Sequence, residues 1–246
     1  MSKQGYCKYC GKLSKLVKSH IVPRFLYTDS NNSKKMIAVN AKEKKESFYQ
    51  AGVWDNILCE DCERLMAIYD KEFFNFTKLD FSKFIYQQSK DGLIYKIPSD
   101  NYNFKNLRKF FISMLWRGSI STKSEFSMIN LGKYEKIALD ILKDKYDDSQ
   151  LFATFLFKEP SCKLSKDLHF VEQTKYENQI AYRIYFGGFQ INTVINTKTL
   201  RSDKNIFELV CNNNEYIPIL ESKEILDYKI NHIVDYYRYY KSISVK

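Results

Sequence analysis

The chain has 246 residues, 44% hydrophobic and 16% aromatic, with only 8 Gly and 4 Pro. This composition supports a packed core and excludes a disordered or collagen-like chain. The net charge of +10 is uneven: residues 1–50 carry eleven Lys/Arg against three Asp/Glu, while the remaining chain carries 28 against 26. Such a concentrated basic field suits a polyanion, although a lysine-rich composition that merely keeps the chain in solution accounts for the same charge.

No stretch approaches the roughly 18 uninterrupted apolar residues of a membrane span. The N-terminal MSKQGYCKYCGK lacks the apolar run of a signal peptide. A cytoplasmic protein with no membrane partner is therefore expected.

In chain order, Cys7-Lys8-Tyr9-Cys10-Gly11 reads as a knuckle, because the glycine permits a tight turn that brings two sulfurs to one side. Residues 16–22 read as a strand that Pro23 ends. Residues 36–39 and 47–50 form a hairpin with a charged tip around Lys42 and Glu46. A helix is expected over 60–77, with Leu65, Ile68, Tyr69, Phe73 and Phe74 at helical spacing and Glu60 and Asp61 favouring its N-terminus. Turn signals at Asp91-Gly92 and Pro98-Ser99-Asp100 mark residues 81–102 as a linker. It would divide a first module, 1–80, from an α+β domain, 103–246.

Leu107, Phe110, Phe111, Met114 and Leu115 mark an amphipathic helix that runs into Trp116-Arg117. Trp116 belongs in the core, and Arg117 is a cap or the partner of an acid. A second helix is expected over 129–146. Strands follow at 151–157, at 182–186 and 189–195 around the hairpin turn Gly187-Gly188, and at 206–210. A final helix over 221–241 has an apolar side that suits a homodimer, a partner protein, or docking on the sheet.

In a reducing compartment, paired cysteines are metal ligands more often than disulfides. Four of the six cysteines form two C-x-x-C pairs, Cys7/Cys10 and Cys59/Cys62, whereas Cys162 and Cys211 stand alone as small buried hydrophobes. Two such pairs can close a tetrahedral, all-sulfur zinc site. A separate redox role for either pair lacks a surrounding βαβ pattern. A knuckle, a hairpin, then a helix carrying the last two ligands in its first turn is a treble-clef arrangement. The expected fold class is thus α+β, a treble-clef zinc module followed by a mixed helix and antiparallel-sheet domain.

Of three histidines, His169 and His232 have no acidic or cysteine cluster beside them, whereas His20 follows the knuckle in Ser19-His20-Ile21-Val22-Pro23-Arg24. Cys7-x-x-Cys10, His20-Ile-x-Pro23 and Leu58-Cys59-x-x-Cys62-Glu63 together resemble the zinc-containing branch of the HNH endonucleases, over roughly residues 5–75. The resemblance implies a ββα-metal site that hydrolyses phosphodiester bonds in DNA. His20 would be the general base, Asn56 would orient it, and Glu63 would hold a catalytic Mg²⁺ or Mn²⁺. The family carries an acid where Ser19 stands, and Asp70, on the same helical face as Glu63, would supply the missing carboxylate. Arg24 would grip a phosphate or form a surface salt bridge. The resemblance further implies a setting in bacterial or phage defence.

Two functions compete on these residues. One is a metal-dependent nuclease. The other is a zinc-stabilised module that binds nucleic acid or a protein without cleaving it.

Overall fold

The computed structural model describes residues 3–26, 36–40, 45–49, 52–89, 92–148, 150–158, 168–176, 178–186, 188–199 and 216–222. Among these residues lie twelve strands and three α-helices: β1 Lys3–Tyr6, β2 Leu13–His20, β3 Met36–Asn40, β4 Lys45–Tyr49, β5 Trp54–Cys59, α1 Glu60–Thr77, β6 Ile85–Ser89, β7 Gly92–Pro98, α2 Phe104–Ile120, α3 Tyr134–Leu142, β8 Ala153–Lys158, β9 Leu168–Tyr176, β10 Gln179–Phe186, β11 Phe189–Val194 and β12 Tyr216–Ser222. The fold is α+β. No described helix is long and apolar enough to cross a membrane.

Two sheets result. A small one has the order β1-β2-β5, and a nine-stranded one has the order β4-β3-β9-β10-β11-β8-β12-β7-β6. The large sheet is antiparallel except where β12 joins β8 and where β3 joins β9. β10 and β11 pair antiparallel as expected, with Phe186 opposite Phe189 and Gly188 at φ +81°, a conformation that suits glycine.

Helix α1 spans the expected residues, and three acids in its first turn complement the helix dipole. Its buried stripe is Cys62, Met66, Tyr69, Phe73 and Phe76, while Ile68 is 51% exposed. The stripe is turned from the expected face because its phase starts at Cys62, which points inward. Helix α2 is buried almost all round from Leu107 to Gly118, as a central helix must be. Helix α3 is shorter than the expected 129–146. It begins after Gly132 and stops before Asp144, both at positive φ.

Phe73 is where the layers meet. Its ring stacks on Phe110 of α2 at 4.4 Å and lies edge-on to Phe186 and Phe189 at the paired ends of β10 and β11. One hydrophobic cluster therefore runs from the N-terminal module into the large sheet.

The expected linker over 81–102 is not one. It holds a short 3₁₀ turn, Phe81–Phe84, and strands β6 and β7, and β7 pairs with β12 along all seven of its residues. β6 and β7 pair antiparallel, with Ser89 opposite Gly92, so this stretch runs within the sheet. β3 and β4 pair antiparallel as expected, Met36 opposite Tyr49, and β3 also joins β9 of the large sheet. The strand expected at 206–210, residues 223–241 of the final helix, and the dimer contact assigned to that helix lie outside the described residues. His232, Cys162 and Cys211 lie outside them as well.

Candidate metal centre and the adjoining polar cluster

The first metal-ligand pair is shaped by its own backbone. The Cys7 N–H donates to Lys12 O at 2.9 Å, and the Gly11 N–H donates to Cys7 O at 2.8 Å. Gly11 sits at φ +77°, where a Cβ would be strained. The Lys8 N–H reaches Ile57 O at 2.9 Å and fastens the knuckle to β5. The second pair is placed by β5 and α1: Cys59 is the N-cap residue of α1, and Cys62 follows in the first turn.

The four Sγ atoms all lie within 4.8 Å of one another, with Cys10 and Cys59 at 3.9 Å. Tetrahedral zinc with Zn–S of about 2.3 Å needs sulfurs about 3.8 Å apart. The donor set and its spacing therefore fit one structural zinc ion. Burial, then the neighbouring thiols, push the Cys62 thiol well above its ordinary pKa. Four ionised thiols this close require a cation between them. Tyr9, between the first two ligands, docks the knuckle on the helices. Its hydroxyl donates to Leu142 O at 3.1 Å, and its ring meets Trp116 edge-on at 6.1 Å.

A second cluster lies where β2 ends. β2 pairs with β5 as Val17 opposite Leu58 and Ser19 opposite Asp55, so Lys18 alone faces Asn56 and Ile57. This bulge changes the phase of the strand. Leu16 and Ser19 both point inward, whereas Leu13, Lys15 and Lys18 are exposed. His20, the last residue of β2, is partly exposed and lies opposite Trp54.

The inner side of the cluster is polar. Arg117, at 0% exposure, donates to His20 O at 2.8 Å and forks onto both oxygens of Asp70 at 2.8 and 3.2 Å. Asp70, expected as a metal ligand, thus has both oxygens engaged by Arg117. The sequence reading of Arg117 as the partner of an acid holds. Glu63 is half-buried, close to Arg117, Ser19 and Asp70. Burial pushes its carboxyl up, and Arg117 together with the nearby Ser19 hydroxyl and His20 N–H only partly offsets that. Glu63 Oε2 and Ser19 Oγ are both buried without a hydrogen-bond partner. An unpartnered buried carboxylate oxygen fits a hard divalent cation, but among the described residues His20, Glu63 and Asp70 do not form a second group with ligand atoms within 4.8 Å.

Asn56 lies in the bulge, and its backbone N–H donates to Asp55 Oδ1 at 2.7 Å. Sequence reasoning missed Asp55. Its Oδ2 accepts from the Thr122 N–H and hydroxyl, both at 2.8 Å, which tethers the segment after α2 to β5. Burial opposes its charge, but the hydrogen bonds from Thr122 and Asn56 outweigh that and hold the carboxyl below its ordinary range. A depressed folded-state pKa stabilises above the unfolded value of about 3.9 and is lost as pH falls through the folded value. Asp55→Asn is therefore expected to lower stability by about 1–2 kcal/mol at pH 7. In urea titrations, the gap between wild type and variant should close below about pH 4.

No family model, curated protein or solved structure matches this chain.

Proposed function

We propose that the chain is a metal-dependent phosphodiesterase of the HNH kind acting on DNA, with His20 as general base. The cysteine-anchored knuckle, the β2–β5 pair and α1 would then be its treble clef. The observation that carries this reading is the nearness of Glu63 to the backbone of His20. They are 43 positions apart in sequence, yet the Glu63 carboxyl is near enough to the end of β2 for the His20 backbone N–H to favour its charge. The unpartnered Glu63 Oε2 and Ser19 Oγ add buried oxygens for a cation to engage.

In this mechanism His20 removes a proton from the attacking water. Arg117, through the His20 carbonyl, keeps the end of β2 at a fixed height above α1. Glu63 would hold Mg²⁺ or Mn²⁺, which when bound neutralises charge developing on the phosphate and the leaving oxygen. Asn56, in the bulge, would bear on His20 through the backbone of β5.

One observation favours the second reading, a nucleic-acid- or protein-binding module without cleavage: Asp70 is committed to Arg117, so Glu63 is the carboxylate left to a cation. Plasmid nicking in Mg²⁺, Mn²⁺ or Ni²⁺ separates the two. The wild type should nick, and a His20→Ala variant of equal zinc content should be about 10²–10⁴-fold slower, the usual worth of a general base. Equal nicking by both proteins, or none by either with any of the three ions, would sink the nuclease reading.

A further inference from the structure

We propose that the outer face of the β1-β2-β5 sheet is a track for a single strand of nucleic acid, ending at a base platform on Trp54. The proposal rests on the nucleic-acid reading above and names its partner more closely. The first 28 residues contain six Lys/Arg and no Asp or Glu. The bulge, whose extra residue lies in β5 opposite Lys18, sets the basic residues of β2 to one side: Lys15 before it and Lys18 at it are both exposed, while Leu16 and Ser19 lie beneath. Lys8 and Lys12 are exposed at the knuckle end.

Aromatic rings mark both ends of this strip. Tyr6, 68% exposed, lies opposite exposed Leu13 in the β1–β2 pair. Trp54 lies opposite His20 at the other end of β2 and is partly exposed. Two ammonium groups converge on the Trp54 ring, Lys18 Nζ at 4.4 Å from its centroid and Lys123 Nζ at 5.4 Å. Among the described ion pairs none engages Lys8, Lys12, Lys15, Lys18 or Lys123.

Lysines that follow a backbone between aromatic platforms are how sequence-tolerant proteins hold unpaired strands. From Leu13 to His20 the strip spans roughly 23 Å at about 3.3 Å per residue, about the length of a few unstacked nucleotides. A duplex keeps its bases stacked and offers Trp54 no free ring face. A strand lying here would bring the phosphodiester beside Trp54 to His20.

The test uses the protein's own fluorescence. Of the two tryptophans, Trp116 is 1% exposed in the core, so a change in emission on adding a strand reports Trp54. Zinc-loaded wild type would be titrated with oligo-thymidylate and with the matching duplex, in buffer without Mg²⁺ or Mn²⁺. The single strand should quench emission and bind more tightly than the duplex. Trp54→Ala, with zinc content retained, should lose the quench and bind roughly 5- to 100-fold more weakly. Lys15→Gln and Lys18→Gln should each flatten the slope of log affinity against log salt by about 0.7. Unchanged wild-type emission at saturating strand, or tighter binding of the duplex, overturns the proposal. Quenching in a protein that cleaves nothing would uphold the track and sink the nuclease, and cleavage without quenching would do the reverse.

Discussion

Metal analysis of the purified chain is expected to return one zinc per molecule, and a Cys62→Ala variant should return none. Cys62 is the ligand to test because it carries two roles. It closes the sulfur tetrahedron, and it starts the buried stripe of α1. Structural zinc contributes about 10–16 kcal/mol of apparent binding energy in small zinc domains. Whole domains are stable by only about 5–15 kcal/mol. Here the knuckle is also held by Tyr9 against Leu142 and Trp116, so part of its position survives metal loss. A destabilisation of about 5 kcal/mol is therefore the lower expectation. For a chain of this size it corresponds to a fall in Tm of about 10–20 °C. Zinc release should require lower pH or a strong chelator, because the thiolates must take up protons as the metal leaves. A wild-type chain that carries no zinc and unfolds at the same temperature with and without chelator would refute the site.

The parts of this fold that were legible in the sequence are those whose physics is local. Two C-x-x-C pairs declare a tetrahedron because ligand spacing is covalent. The α1 boundaries follow from its acids and its 3.6-residue period, and the β10–β11 pairing follows from its glycines. What was not legible depends on partners far along the chain. Asp91-Gly92 is a turn signal whether its flanking segments end a domain or form a hairpin. Only β12, more than a hundred residues on, decides that β7 lies inside a sheet.

The same holds at the site. The nearness of Glu63 to the backbone at the end of β2 follows from the cysteine pairs, which set β2 beside α1. The bulge that buries Ser19 has no local sign, and neither does the attachment of Asp55 to Thr122. Arg117 carried a usable signal, the one cation in the mostly apolar run from Phe110 to Ile120. Its partner Asp70 lies 47 positions earlier, and no local pattern ties the two together.

Arg117 carries the second large effect. Its guanidinium joins three elements: α2 through Ser113, α1 through Asp70, and the end of β2 through the His20 carbonyl. Removing one member of a buried ion pair strands the other and typically costs 3–5 kcal/mol. Arg117→Ala should therefore lower unfolding stability by about that much, or about 6–20 °C in Tm for this chain length. Arg117→Lys should recover little, because a point charge cannot fork onto Asp70 and also reach the His20 carbonyl. The double change Asp70→Leu with Arg117→Met should recover most of the stability, since apolar replacement of a buried pair is often neutral or better. That double variant separates packing from positioning. If Arg117 only neutralises Asp70, nicking returns together with Tm. If it also holds His20 in place, Tm and zinc content return while nicking stays low, because no donor remains for the carbonyl. A loss below about 1 kcal/mol in Arg117→Ala, the range of an exposed pair, would show that the fork does not hold α1 to α2. In that case the general base would depend on the zinc module alone, and not on an arginine 97 residues downstream.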